Sequence, residues 1–372
     1  MSDIAPLKMP KWGLSMEEGT LVGWLKAEGD AVAVADEIAE VETAKITNVC
    51  ESPAGGILRR IVAPPGTTLP VGGLMGVIAA AGVPDEAIDA FVADYQARFT
   101  PGEDASEAGG GLVLATIEVD GRSLRIGRAG AGEGAPVVLI HGFSGDLANW
   151  MFNIEALAAR GPVLAIDLPG HGGSTKDVGD ASLAALAAAV TGAMAAEGIA
   201  AAHLVGHSLG GAVAAWIAAH RPEAAHSLTL IAPAYLPGGA LAQDFLTGIA
   251  EGARARDLKP WLEMLLADPA GVSREMVEDV VRAKRLDGVE EALTALRDRM
   301  LDGADAAALQ AGLARIPAAL VIASRADRIV GAPDESRLPA GFRVVWIDGA
   351  GHMPHLEKAA EINALLLEAT GR

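Results

Sequence analysis

The sequence predicts a multidomain chain, a small all-β sandwich followed by an α/β domain, and three observations lead there. Residues 1 to about 80 read as short β-strands punctuated by glycine, with few stretches of helical period. From about residue 135 onward, short apolar strands alternate with Ala/Leu-rich helical stretches, the pattern of a parallel sheet with crossover helices. Between the two lies Pro101 to Gly111, a small, acidic, glycine-rich run that reads as a flexible tether. The expected boundaries are 1–80 for the sandwich, 81–111 for a short helix and linker, and 112–372 for the α/β domain.

A chain of 372 residues with 51% hydrophobic content has room for two or three cores. Its 29 basic and 48 acidic side chains give a net charge of −19, a field that repels phosphate backbones and anionic lipid, so a nucleic-acid or membrane-surface role is excluded. The single cysteine, Cys50, cannot form an internal disulfide, and no basic-then-apolar leader or membrane-length apolar run is present. The expected location is cytoplasmic.

Within the first segment, Gly19 to Gly29 (GTLVGWLKAEG) lines up with Gly56 to Gly66 (GILRRIVAPPG) at an offset of 37 positions. The same offset pairs Val34 with Val71, Ile38 with Met75 and Val41 with Ile78. Two similar β-units related in this way are expected to close as a sandwich, each covering the apolar face of the other. Val41-Glu-Thr-Ala-Lys45-Ile-Thr47 falls at the junction of the halves, where an exposed hairpin turn would carry Lys45 at its tip. An ordinary solvated lysine in a turn is the alternative.

The motifs Met9-Pro-Lys-Trp-Gly-Leu-Ser-Met-Glu-Glu-Gly19, Glu28-Gly-Asp30, Glu40-Val-Glu-Thr-Ala-Lys45 and Pro53-Ala-Gly-Gly56 resemble the lipoyl domains of 2-oxo acid dehydrogenase acyltransferases over nearly 75 residues. The resemblance implies lipoate attached covalently to Lys45, whose long stem would extend a swinging arm. That family usually has Asp-Lys-Ala at the modified turn, where this chain has Ala44-Lys45-Ile46. Biotin carriers, the nearest rival, typically flank the lysine with methionines, and none adjoins Lys45. The stretch Pro84 to Phe99 places Ile88, Phe91, Val92 and Tyr95 at helical spacing, which predicts a short amphipathic helix after the sandwich.

In the second segment, Ala202 to Trp216 reads as strand, sharp turn and helix, with Gly206-His-Ser208-Leu-Gly210 matching a nucleophile elbow. Serine at its own pKa is a poor nucleophile and needs a base that is itself oriented by a carboxylate. Leu320 to Val330 is an apolar strand running into a loop acid, Asp327, and Phe342 to His352 is a strand ending in a glycine turn and an imidazole. The chain order Ser208, Asp327, His352 is the one the elbow pattern calls for. Asp348, before the Gly349-Ala-Gly351 turn, and His355, one turn into the next helix, are the local competitors. Pro136 to Gly145 is a buried strand followed by His141-Gly142-Phe143, and backbone N–H groups of Phe143 and Leu209 are the expected oxyanion donors. His171 in Asp167-Leu-Pro-Gly-His-Gly-Gly-Ser174 is expected to pack its loop, and His203 and His207 are expected to be structural. His220 and His226 have no partner pattern, and no spacing of acids, histidines and the cysteine suggests a metal site.

From about 112 to 372 the chain resembles the α/β-hydrolase family, which implies a helical cap over about 235–312. The whole therefore reads as an all-β lipoyl sandwich plus an α/β-hydrolase fold with a helical cap. That pairing resembles the dihydrolipoamide acetyltransferase components of acetoin dehydrogenase complexes. It lacks the His-x-x-x-Asp-Gly signature of other 2-oxo acid acyltransferases and any distinct peripheral-subunit-binding domain, unless the helix near 85–99 is its remnant. The resemblance implies transfer of an acetyl group from lipoyl-Lys45 to coenzyme A through Ser208, with a thiamine-diphosphate acetoin-cleaving component and a dihydrolipoamide dehydrogenase as partners. A homo-oligomer is compatible with it. Two other readings stay open on the residues alone: a lipoyl-linked thioesterase, because a Ser-His-Asp set does not specify thiol over water, and a non-catalytic carrier and scaffold.

Overall fold

The computed structural model describes residues 4–10, 16–34, 36–43, 47–100 and 112–372. They divide into two compact units, Met1–Gly111 and Leu112–Arg372.

The first unit is built from β1 (Ile4–Lys8), β2 (Glu18–Trp24), β3 (Ala31–Val32), β4 (Glu37–Glu42), β5 (Thr47–Glu51), β6 (Gly56–Ile61), β7 (Thr68–Pro70) and β8 (Leu74–Ala79). They form two four-stranded sheets, ordered β1-β8-β6-β3 and β5-β4-β2-β7, with antiparallel pairing throughout. The sequence repeat explains the topology: an offset of 37 carries β3 onto β7 and β4 onto β8, and all but the first residue of β2 onto β6. Applying that exchange to one sheet order, with β1 taking the place of β5, generates the other. Equivalent apolar positions meet in one core, since Leu21 and Leu58, Ile38 and Met75, and Val41 and Ile78 are all buried. The pairing of Val34 with Val71 breaks down: Val71 is 1% exposed and Val34 58%. Val34 lies in a turn closed by Asp36 N–H on the Ala33 carbonyl and by the Asp36 carboxylate on Ala33 N–H, which leaves it at the surface.

β4 and β5 pair with Glu42 opposite Thr47, and Lys45 falls between them, outside the described residues. The tether expected at Pro101 to Gly111 also lies outside the described residues. The helix Asp85–Arg98, expected within the linker, instead packs on the sandwich. Ile88 is fully buried with Leu74, Val77 and Ala79, and Phe91, Val92 and Tyr95 lie against the same cluster. Tyr95 Oη donates to the Gly72 carbonyl at 2.7 Å, and Arg59 and Arg60 pair with Asp85 and Asp89. A stripe of four large side chains in a short helix has to be covered by something, and here the sandwich covers it.

In the second unit β9 (Val113–Val119), β10 (Arg122–Ala129), β11 (Val137–Ile140), β12 (Val163–Ile166), β13 (Ala202–His207), β14 (Ala225–Ile231), β15 (Ala319–Ser324) and β16 (Phe342–Ile347) form one sheet, ordered β16-β15-β14-β13-β11-β12-β10-β9. β10 runs antiparallel to both of its neighbours, β12 and the edge strand β9, and β11 to β16 run parallel. All residues of β11, β12 and β15 are buried, which is why these strands read as unbroken apolar runs. After β12 the chain crosses to the other side of β11 to form β13, so the strand order reverses between them. A crevice at such a switch point, outside the C-terminal strand ends, is where this architecture binds ligands. Five helices, Gln243–Glu251, Ala255–Leu262, Arg274–Lys284, Val289–Leu301 and Ala304–Gly312, intervene between β14 and β15.

Candidate active site

Ser208 follows β13 directly and precedes the helix Leu209–His220 with φ +53° and ψ −116°, a conformation L-residues rarely adopt. The main chain is pinned there: Ser208 N–H donates to the Ile231 carbonyl, and the Ser208 carbonyl accepts from Ala212 and Ala234 N–H. Its hydroxyl does not cap the helix. The two flanking glycines are steric necessities, because a Cβ at Gly206 would lie 2.2 Å from the Gly210 carbonyl oxygen, and one at Gly210 would lie 2.2 Å from that of Ile140.

Asp327 and His352, from the loops after β15 and β16, meet through a 2.8 Å hydrogen bond in which His352 Nδ1 donates to Asp327 Oδ2, both side chains being 2% exposed. Asp327 Oδ1 accepts from Ile329 and Val330 N–H. Burial alone would raise this carboxyl, but the adjacent imidazole and the two backbone donors outweigh it and hold Asp327 below the ordinary aspartate range. The bond at Nδ1 leaves Nε2 of His352 as the proton acceptor in the neutral ring. The competitor Asp348 is exposed. His355 is buried between Trp150 and His207, at ring separations of 4.8 and 4.5 Å, and among the described residues neither of its nitrogens has a partner. Burial, with the neighbouring His352, lowers its pKa to about 3, so it is neutral at pH 7.

His207, the last residue of β13 and the neighbour of Ser208, is bonded to the loop that carries His352. His207 Nε2 donates to the His352 carbonyl at 2.8 Å, and the two rings lie 4.7 Å apart. Burial, then the neighbouring His355 and His352, push the His207 pKa well down. The loop after β11 closes on the same point: a Cβ at Gly142 would stand 3.0 Å from Ser208 Cβ and 2.9 Å from His207 Nδ1. Gly145 N–H bonds the Gly142 carbonyl, turning the chain at Phe143 and Ser144, the latter with φ +61°. Phe143 and Leu209, the expected oxyanion donors, are both buried beside Ser208 in sequence or through this loop.

Two supports were not readable in advance. His141 accepts Leu168 N–H at Nε2, so its Nδ1 carries the proton and donates to the Gly142 carbonyl, clamping the loop that bears Phe143. Asp167 is fully buried and accepts from Leu147 and Gly173 N–H while pairing with Arg125, which also reaches Asp146. His171 is buried at 5.0 Å from the His141 ring, with burial and His141 lowering its pKa to about 3. His203 bonds Ser227 at the opposite, N-terminal side of the sheet, remote from Ser208 by the length of β13. Among the described residues no group of three or more His, Cys, Asp or Glu could hold a metal ion, and no helix is long and apolar enough to cross a membrane.

Residues 137–365 match the model of the alpha/beta hydrolase family, and residues 5–78 match that of biotin-requiring enzymes, a biotin/lipoyl domain. The chain is 43% identical over 371 residues to the dihydrolipoyllysine-residue acetyltransferase component of the acetoin cleaving system of Cupriavidus necator, covering 99% of this chain and 98% of that protein. It is likewise 43% identical over 368 residues to the component of the same name from Pseudomonas putida, with 99% and 98% coverage. Among solved structures, the 2-hydroxy-6-oxo-6-phenylhexa-2,4-dienoate hydrolase of Rhodococcus sp. strain RHA1 superposes with a TM-score of 0.63 at 24% identity, over 70% of this chain and 99% of that one, a likeness of fold alone. With its biotin/lipoyl domain, its α/β-hydrolase fold and full-length kinship to both bacterial components, the chain belongs to the family of dihydrolipoyllysine-residue acetyltransferase components of acetoin cleaving systems.

Proposed function

We propose that this protein moves an acetyl group from lipoyl-Lys45 to coenzyme A, with Ser208 as nucleophile, His352 as general base and acid, and Asp327 as the orienting carboxylate. The observation that carries the reading is the His352–Asp327 bond lying, through His207, against the strained elbow of Ser208. Ser208 Oγ attacks the acyl carbonyl of a thioester substrate as His352 Nε2 takes its proton, and Asp327 stabilises the imidazolium formed. The N–H groups of Phe143 and Leu209 are the donors we assign to the tetrahedral oxyanion. Collapse expels the sulfur, a good leaving group because a thiolate is a weak base; it takes the proton back from the His352 imidazolium and departs as the thiol, leaving an acyl-serine and a neutral His352. The acceptor thiol then gives its proton to His352 and attacks the ester, and Ser208 is regenerated.

The β4–β5 pair fits an attachment lysine: strand pairing at Glu42 and Thr47 fixes the base of the connection that contains Lys45, and a lysine amine forms an amide with lipoate. When bound, lipoate supplies the thiol that carries the acetyl group. As a component of an acetoin cleaving system, the protein works beside other components, and we assign these as a thiamine-diphosphate acetoin-cleaving enzyme and dihydrolipoamide dehydrogenase. We read its place as the cytoplasm. Incubating the full chain with S-acetyl-dihydrolipoamide, with and without coenzyme A, tests the proposal. Acetyl-CoA is the expected product; free acetate in place of acetyl-CoA identifies a thioesterase, and neither product identifies a non-catalytic carrier.

A further inference from the structure

Glu357 takes no part in the chemistry above, yet it joins the histidine loop to the helical insert. It ends the short helix Pro354–Glu357 and is half-buried. Its Oε1 accepts from Gly351 N–H and its Oε2 from Ala267 N–H, each at 2.7 Å. Gly351 precedes His352, and Ala267 follows the helix Ala255–Leu262 of the insert by five residues. The ring is closed on its other side by His352 N–H, which donates to the Leu265 carbonyl at 2.7 Å. The two backbones pack so closely that a Cβ at Gly351 would stand 2.7 Å from Ala267 N and from Leu265 O. Arg328, next to Asp327, ties the same turn to the acid loop by donating to the carbonyls of Glu263 and Leu266 at 2.6 and 2.8 Å. The turn 263–267 is thus bonded to both loops that supply the His–Asp pair.

We infer that Glu357 is a positioning residue, its carboxylate holding His352 in register with Ser208 by clipping the histidine loop and the turn 263–267 together. The inference rests on the assignment of Ser208, Asp327 and His352 proposed above. A carboxylate suits the task because both oxygens accept, so two N–H groups from segments distant in sequence are satisfied by one planar group. The amide of glutamine has one acceptor oxygen, and its NH2 would face the second donor. One N–H would be released, the loop would relax, and His352 Nε2 would leave the line to Ser208 Oγ. Small misplacements of a reacting group cost on the order of 10- to 100-fold in rate.

The experiment compares the full-length protein with Glu357→Gln and Ser208→Ala, using S-acetyl-dihydrolipoamide and coenzyme A, with active sites counted by a serine-directed phosphonofluoridate. For Glu357→Gln, kcat per titrated site is expected to fall about 10-fold or more with KM changed far less, and the kcat/KM pH profile to shift, because the imidazole is displaced. Should Glu357→Gln give too little folded protein, Glu357→Asp, which keeps the charge but shortens the reach by one methylene, reads the same quantities. A variant whose kcat, KM and pH profile per titrated site match the parent, whatever its yield, overturns the inference and makes Glu357 merely structural. Turnover by Ser208→Ala overturns the underlying assignment instead, so the two failures are distinguishable.

Discussion

His207 Nε2 donates a hydrogen bond of 2.8 Å to the main-chain carbonyl of His352, so the residue beside the elbow serine holds the loop that carries His352. Replacing His207 by phenylalanine fills similar space but leaves that buried carbonyl without its donor, a loss of about 1 to 3 kcal/mol. The expected result is a lower urea midpoint together with slower acyl transfer. Unchanged transfer in His207→Phe would show that the bond is dispensable for setting the two loops.

Gly210 sits where the helix Leu209–His220 crosses the end of β11. Its Cβ in an alanine variant would fall 2.2 Å from the Ile140 carbonyl oxygen and 2.4 Å from that of His141. Neither is the tip of a mobile side chain, so backbone must move, at a cost of about 3 kcal/mol or more. Gly210→Ala is expected to lower the thermal midpoint of the hydrolase unit and to abolish acyl transfer, whereas Gly198→Ala, with open space around it but a positive φ, should only lose some stability.

The buried imidazoles make the second unit sensitive to acid. His171 and His355 have pKa values lowered to about 3, against an ordinary value of 6.5. Between those limits the unfolded chain binds protons that the folded one does not, so stability is complete above about pH 6.5 and falls as pH drops, each group adding roughly 1 kcal/mol per pH unit. Asp327, held low by its imidazole and backbone donors once its burial is outweighed, acts in the same direction at lower pH, its contribution being lost as pH falls below the aspartate range. Urea titrations at pH 7 and pH 5 should show this loss, and His355→Phe should reduce it. An equal slope in that variant would mean that His355 is charged or exposed at pH 5.

The first unit is expected to need its helix. Ending the chain after Ala80 removes Ile88, Phe91 and Tyr95 from the cluster around Leu74, Val77 and Ala79. Burial of one isoleucine is worth about 2 to 3 kcal/mol, so a fragment of residues 1–80 should unfold at lower temperature than one of residues 1–100. Equal midpoints would show that the helix is an appendage.

Much of this fold was legible because period and spacing report it directly. The offset of 37 residues forecast the equivalence of Ile38 with Met75 and Val41 with Ile78, all core residues, since the two halves of the sandwich cover each other. It failed at Val34, whose turn is set by Asp36 rather than by the repeat. The helix Asp85–Arg98 was recognised from its spacing, but its docking was not, because the contacts of Tyr95 with Gly72 and of Arg60 with Asp89 join segments more than 20 residues apart. The elbow and the pairing of Asp327 with His352 followed from side-chain chemistry at strand ends. The roles of His141, His207 and Glu357 did not, because each bonds backbone groups that every residue possesses, and only the folded chain selects which ones.

The central claim is that an acetyl group passes through Ser208. Full-length protein mixed with S-acetyl-dihydrolipoamide, quenched in acid within the first turnover and digested for mass spectrometry reads it directly. The account predicts an acetyl increment on the peptide containing Ser208, discharged as acetyl-CoA when coenzyme A is added and absent in Ser208→Ala. Turnover to acetyl-CoA by Ser208→Ala, or an acetyl group that never resides on that peptide while product accumulates, would contradict it.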